Sequence, residues 1–294
     1  MNKPVTISGL EEIYKNYDVF ILDQWGVMHN GIDGYVDAID CVNKLADKKK
    51  VLTIISNSSK RKKTTIERLD KLGFNSNYFL EVMTSGEMIW KSLYNNDYNE
   101  TKKLGKNCFY IYNEENKDGL IYLDSLAKYN KVDSIDEADF ILGCTPFINK
   151  KVFEYIPLLD KAKKNNLPFI CANPDFDTIE NSSNKLSFCM GTIAELYKNI
   201  GGNIFILGKP SVEIYYKIIN NLPLVKKSRI LAVGDSIFHD IKGANNFGID
   251  SLLITSTGIH KESFDKIKPN WNSNKNTLAK LDINPTFICS DFTF

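Results

Sequence analysis

"VFILDQWGVMHNG" (Val19–Gly31) decides how the rest of the chain is read. Four apolar residues run into Asp23, and a glycine-containing turn follows at once. A short, nearly uninterrupted apolar run is what a strand buried on both faces looks like. A carboxylate at the carboxyl end of such a strand suits a nucleophile. It can attack phosphorus, form an aspartyl phosphate and split one hard displacement into two easier ones. Taken alone, the same Asp reads more readily as a turn or N-cap residue, since Asp is common after strands. Two positions on stands Trp25.

Working outward, apolar runs alternate with helix-like segments. "YVDAIDCVNKLADKKK" places Ile39, Val42 and Leu45 at helical spacing. "VLTIISN" (51–57) precedes the charged, helix-like "KRKKTTIERLDKLGF", and "RILAVGD" (229–235) leads into "IFHDIKGANNFGI" and then "DSLLIT" (250–255). This alternation predicts an α/β fold with a parallel sheet covered on both faces. The middle of the chain alternates too. "NCFYIYN" (107–113), "ADFILGC" (138–144), "LPFICANPD" (167–175) and "GNIFILGKP" (202–210) read as strands, and "NKKVFEYIPLLDKAKKNN" reads as a helix. The stretches that look chemical lie before about 60 and after about 205. The expected architecture is therefore a discontinuous core, 1–83 and 205–294, with an α/β insertion over 84–204.

The bulk properties exclude several classes. With 37 basic and 36 acidic side chains the formal net charge is +1, which gives no reason to expect a nucleic-acid or membrane-surface partner. The six cysteines stand singly with no CxxC pair, so zinc and redox motifs are unsupported, and they read as small buried hydrophobes of a reduced protein. "MNKPVTISGLEEIYKNYD" has no apolar signal stretch, and no 18-residue apolar run occurs. A soluble cytoplasmic protein is expected.

In open parallel sheets ligands bind beyond the carboxyl ends of the strands. Four such ends carry suggestive residues. Asp23 is the first. In "IISNSSKR", Ser56 and Asn57 offer hydroxyl, amide and backbone donors suited to phosphate oxygens, or simply an N-cap. In "ILGKPS", Lys209 precedes a proline that favours a helix start; aimed inward it would neutralise a carboxylate and a phosphate, whereas most lysines are solvated. In "AVGDSIFHD", Asp235 ends a strand and Asp240 lies five residues on, a hard-oxygen pair suited to Mg²⁺.

Asp, Ser, Lys and paired Asp, in that order and each at a strand end, resemble the motifs of the haloacid dehalogenase (HAD) superfamily. Within it the chain is similar to the NagD-like sugar-phosphatase branch, subfamily IIA, through "TSG" (84–86), "CANPD" (171–175), "MGTIAEL" (190–196) and "GKPS" (208–211). Its first motif is similar to that of a subgroup reading DxWGV. The resemblance implies a Rossmann-like core with a large inserted cap, and a Mg²⁺-dependent hydrolase of small phosphorylated metabolites. It implies Asp23 as nucleophile and metal ligand, the backbone carbonyl of Trp25 and the carboxylate of Asp235 as the other protein ligands, and Ser56 and Asn57 on the phosphoryl group. Lys209 would balance charge, and Asp240 would orient the cluster from just outside the ligands or through a bound water. From the cap, Asn173 and Asp175 of "NPDFDT" would face the substrate, although Asn-Pro-Asp also favours a turn by itself. Caps of this type often meet in dimers in relatives, so the resemblance allows a homodimer through the cap.

Trp25 is the departure. In most phosphatases of the family this residue is an Asp that protonates the leaving alkoxide and then activates water, help worth roughly a hundred- to ten-thousandfold in rate. An indole offers only an N–H donor and cannot titrate, while its backbone carbonyl is unaffected. Three readings follow. One is a specialised phosphatase, with a leaving group needing little protonation or with His29 or His239 as substitute acid. A second is a silent protein that binds a phosphorylated ligand. The third is a dehalogenase-like enzyme, against which the paired aspartates of a metal site weigh.

Overall fold

A computed structural model describes residues 4–115, 117–179, 186–222, 224–263 and 283–294. Its strands are β1 (Val5–Thr6), β2 (Val19–Leu22), β3 (Val51–Ser56), β4 (Phe79–Thr84), β5 (Asn107–Ile111), β6 (Asn130–Val132) and β7 (Phe140–Gly143). They continue with β8 (Phe169–Cys171), β9 (Asp177–Ile179), β10 (Leu186–Phe188), β11 (Ile204–Ile206), β12 (Ile230–Gly234), β13 (Asp250–Ile254) and β14 (Phe287–Cys289). The helices are α1 (Val36–Asp47), α2 (Lys62–Lys71), α3 (Ser85–Asn95), α4 (Asn99–Lys102), α5 (Lys117–Asp124), α6 (Ile156–Lys164), α7 (Met190–Asn199), α8 (Val212–Ile219) and α9 (Lys242–Phe247).

Seven strands form one all-parallel sheet in the order β1-β14-β13-β12-β2-β3-β4. All four residues of β2 are buried, and the strand explains why the opening stretch reads as it does. Val19 and Ile21 enter the hydrophobic cluster on one face, Phe20 and Leu22 the cluster on the other. Both faces are thus dry, which is why the run is apolar throughout instead of alternating. Helix α1 covers one face with Ala38, Cys41, Val42 and Leu45, the i, i+3, i+4, i+7 stripe of an amphipathic helix. Helix α8, N-capped by Ser211, buries Ile214, Tyr215 and Ile218 against the other.

A second, five-stranded parallel sheet, β11-β8-β7-β5-β6, and the antiparallel pair β9–β10 make the inserted cap. β11 pairs within the cap sheet, so the return to the core falls after 206 rather than at 205. Thr84 ends β4 and caps α3, its hydroxyl accepting from the Glu87 N–H at 2.9 Å, and this tight joint carries the chain out of the core. One hydrophobic cluster runs from Ile21, Ile55 and Met83 of the core to Tyr110, Phe140 and Ile170 of the cap. The order of the core sheet reverses between β2 and β12, and the crevice beyond those two carboxyl ends is where such sheets bind ligands.

Candidate active site

The reversal of strand order at the switch point brings the sequence-predicted carboxylates together. Asp23 follows β2 and Asp235 follows β12, while Ser56 ends β3. One carboxylate oxygen from each of Asp23, Asp235 and Asp240 lies within 4.8 Å of the others, and all three residues are buried. Asp240 reaches the group because the chain after β12 turns through a π-helical segment, Ile237–Ile241. The Ser236 carbonyl accepts from the N–H groups of Asp240 and Ile241, and Asp240 Oδ2 accepts from the Ser236 N–H at 3.0 Å. Space is cleared by glycines: a Cβ at Gly234 would meet the Asp240 side chain, and one at Gly26 or Gly258 would meet Asp235. At Gly26 the backbone (φ +77°) also selects glycine.

Lys209 is 2% exposed and stands between two of the carboxylates, with Nζ 2.5 Å from Asp23 Oδ1 and 2.6 Å from Asp240 Oδ1. Burial works against its charge, but Asp23 and Asp240 outweigh it and hold the ammonium well above its ordinary range. Asp235 donates nothing and accepts from the Ile259 N–H at 2.8 Å. Burial first, then the charge of Asp240, raises its carboxyl to about 7. Burial likewise pushes Asp23 well above the usual carboxylate range; Lys209 pulls it back, and Asp240 and Asp235 push it up again. These directions have one cause. Three carboxylates share one ammonium in a dry site, so two negative charges are left over. Hard oxygen donors with a deficit of two positive charges fit a divalent hard cation.

The hydrogen bonds of the turn around Trp25 run through its neighbours. The His29 N–H donates to the Gln24 carbonyl at 3.2 Å and the Gly26 N–H to the His29 carbonyl at 3.0 Å. These bonds bracket residue 25 and use neither of its own backbone groups. The indole lines the cleft, packed edge-to-face against His29 at 5.2 Å, with the Arg68 guanidinium 4.7 Å from the ring centroid.

The two histidines do not take the place that sequence reasoning offered them. His29 is wholly buried, its Nδ1 accepts from the Gly31 N–H at 3.1 Å, and burial, then Arg68, lowers it to about 3. It is a neutral ring supporting Trp25. His239 is also buried, 3.0 Å from Ser236 Oγ and 3.4 Å from Asp175, with burial holding it below its ordinary range. Neither ring is on the cleft wall.

The cleft holds about 610 Å³ between core and cap. Asp23, Ser56, Lys209, Asp235 and Asp240 form its floor, and Asn173 and Asp175 approach from the cap. Asn173 partly fulfils the turn reading, its Oδ1 accepting from the Asp175 N–H at 3.2 Å. Asn57 is placed differently from the expectation of a substrate contact. Its Nδ2 donates to Asp175 at 2.7 Å and to the Lys209 carbonyl at 3.0 Å, so the side chain ties cap to core and is not on the wall. Arg68 and Lys60, both on the wall, carry no site signal in the sequence. They stand in the lysine- and arginine-rich stretch around α2, where a solvated face is the default reading.

A family model described as haloacid dehalogenase-like hydrolase matches residues 20–125, and a second, HAD-hydrolase-like, matches 206–293. Together they span about two thirds of the chain. Among solved structures, a haloacid dehalogenase-like hydrolase from Brucella suis 1330 is 26% identical, with 98% of this chain and 100% of that one covered at a TM-score of 0.81. A possible sugar phosphatase from Cytophaga hutchinsonii is 20% identical over 98% of both chains at 0.74. NagD from Escherichia coli K-12 is 17% identical, with 94% and 97% covered at 0.60. Among curated proteins none matches the sequence. The chain belongs to the haloacid dehalogenase superfamily of hydrolases, and its fold, large inserted cap included, is similar to that of NagD.

Proposed function

We propose that the protein is a Mg²⁺-dependent phosphatase of small phosphorylated metabolites that works through an aspartyl phosphate on Asp23. The observation that carries this reading is the buried group Asp23, Asp235 and Asp240, two charges short of balance even with Lys209 between its members. The carboxylates of Asp23 and Asp235 and the carbonyl of Trp25 would hold the metal. When bound, Mg²⁺ supplies the charge that lets an anionic nucleophile meet an anionic ester.

The chain's own residues do the rest. Asp23, fixed by its N–H to the Val233 carbonyl at 2.9 Å, presents one oxygen to Lys209 and keeps the other for phosphorus. Lys209 neutralises charge on the nucleophile and on the incoming phosphoryl group. Ser56 Oγ, which accepts from the Ser58 N–H at 3.2 Å, turns its own proton toward a phosphoryl oxygen. Asp240 holds Lys209 in place from the opposite side. The cap closes the site against water, which favours small soluble substrates. The Cytophaga hutchinsonii relative, a possible sugar phosphatase, agrees with that class.

The test is phosphate release from a panel of phosphorylated metabolites with and without Mg²⁺, wild type beside Asp23→Asn. Metal-dependent release that drops by roughly a thousandfold or more in the variant is expected. One observation favours a second reading, a silent phospho-ligand binder: an indole stands at residue 25 and no histidine lines the cleft. Thermal stabilisation by phosphorylated compounds without any release would establish that alternative.

A further inference from the structure

In-line displacement puts the leaving group on the far side of phosphorus from the Asp23 oxygen. Asp23 and Lys209 are buried in the cleft, so the leaving group points outward between walls that include Trp25 and Arg68. Arg68 is a cation on that wall. Arg68, half-buried on α2, lies over the indole at 4.7 Å, and its Nη2 donates to the Gly31 carbonyl at 2.7 Å. Among the described residues no carboxylate comes within ion-pair distance of it. Asp118 of the cap is the acid whose charge it feels, and that carboxylate is taken by Lys60 at 2.8 Å. A guanidinium has five donors, and a partly desolvated one with a single carbonyl acceptor has capacity for an oxyanion.

We propose that the substrate is a phosphoric anhydride, an acyl phosphate or a diphosphate, whose leaving group departs as a carboxylate or phosphate anion received by Arg68 on the Trp25 platform. The inference rests on the phosphatase reading and specifies its substrate. An alkoxide needs a proton as it leaves; a carboxylate or phosphate does not, so for such a substrate the first step needs no acid at residue 25, and the later water attack is common to every substrate. The atoms balance without that acid. The Asp23 oxygen forms a bond to phosphorus while the bond from phosphorus to the bridging oxygen breaks, and the electron pair leaves with the bridging oxygen. Water then attacks phosphorus, the Asp23 carboxylate is released, and the protons of the water remain with the products, giving dihydrogen phosphate. Charge left by the departing anion is offset by Arg68 instead of by a proton.

The experiment compares four probes with Mg²⁺ present: acetyl phosphate, inorganic pyrophosphate, p-nitrophenyl phosphate and glycerol 2-phosphate. Wild type should turn over at least one anhydride with kcat/KM about a hundredfold above glycerol 2-phosphate. Acetyl phosphate against pyrophosphate tells a carboxylate leaving group from a phosphate. Arg68→Met should cut the preferred anhydride by at least tenfold and p-nitrophenyl phosphate, whose charge spreads over a ring, by clearly less; Arg68→Lys should restore part of the loss. Glycerol 2-phosphate turned over as well as the anhydrides would overturn the proposal. So would an equal loss on all probes in Arg68→Met, which would make the residue structural. If no probe releases phosphate, p-nitrophenyl phosphate included, the phosphatase reading itself fails.

Discussion

At residue 29 burial has converted a candidate acid into a support. His29 is lowered to about 3 in the folded chain, against about 6.5 for an unperturbed imidazole. Between those values the unfolded state binds a proton that the folded state refuses, so stability is lost as pH falls through that window and is fully present above it. One such group contributes a slope of about 1.4 kcal/mol per pH unit. His260, lowered to about 4 by burial, acts in the same direction. Urea midpoints measured between pH 7 and 4.5 should therefore fall less steeply in His29→Gln than in wild type; parallel curves would mean that His29 is not held neutral. The residues that carry the site were legible where their chemistry is unusual for their place: a carboxylate or lysine directly after an apolar run. Burial of His29 and the cap contact of Asn57 were not legible, because both depend on chain segments far away in sequence, such as Arg68 and Asp175. Arg68 itself was hidden by its charged neighbours.

At the scale of elements, the alternation of apolar runs and amphipathic segments foretold the parallel core, and β2, β3, β12 and β13 fall where the sequence placed them. β4 has no legible strand pattern because Glu81 interrupts its apolar run; that carboxylate is paired with Lys62 and accepts from Asn221 at 2.8 Å, a compensation invisible to pattern reading. Short strands such as β1, of two residues, carry no period at all. The π-helical turn after β12 is likewise unreadable, yet it decides where Asp240 points. The loop carrying Gly258 presses on the same cluster from the other side, where a Cβ would displace Asp235. Gly258 is not at positive φ, so alanine there acts through contact alone. Displacing a metal-site carboxylate's support typically costs about 10- to 100-fold in metal affinity. Gly258→Ala should keep the far-ultraviolet circular dichroism of the fold and shift the Mg²⁺ concentration for half-maximal thermal stabilisation upward by that factor. An unshifted midpoint would remove Asp235 from the metal site.

Across the whole molecule, the cleft is spanned by polar ties whose centre is Asp175. It accepts from Asn57 Nδ2 at 2.7 Å and lies 3.4 Å from His239, two contacts from the cap to different elements of the core. The Lys60–Asp118 pair at 2.8 Å bridges elsewhere, but its side chains are 27% and 37% exposed, and pairs so wet contribute little. The apolar continuity around Tyr110 and Met83 holds the cap near the core in any case, so the contacts of Asp175 are expected to matter more for substrate than for folding. Asp175→Ala should then raise KM severalfold, lower kcat less, and leave the thermal midpoint almost unmoved. Asn57→Ala should act through the same contact, and the double variant should lose little beyond either single one; residues sharing a contact couple by about 0.5–3 kcal/mol. Steady-state rates on the best substrate of the panel decide the matter. Fully additive losses would mean that Asn57 and Asp175 serve the substrate separately. A kcat collapse in Asp175→Ala at constant KM would instead make this cap carboxylate the proton-transfer group that residue 25 lacks.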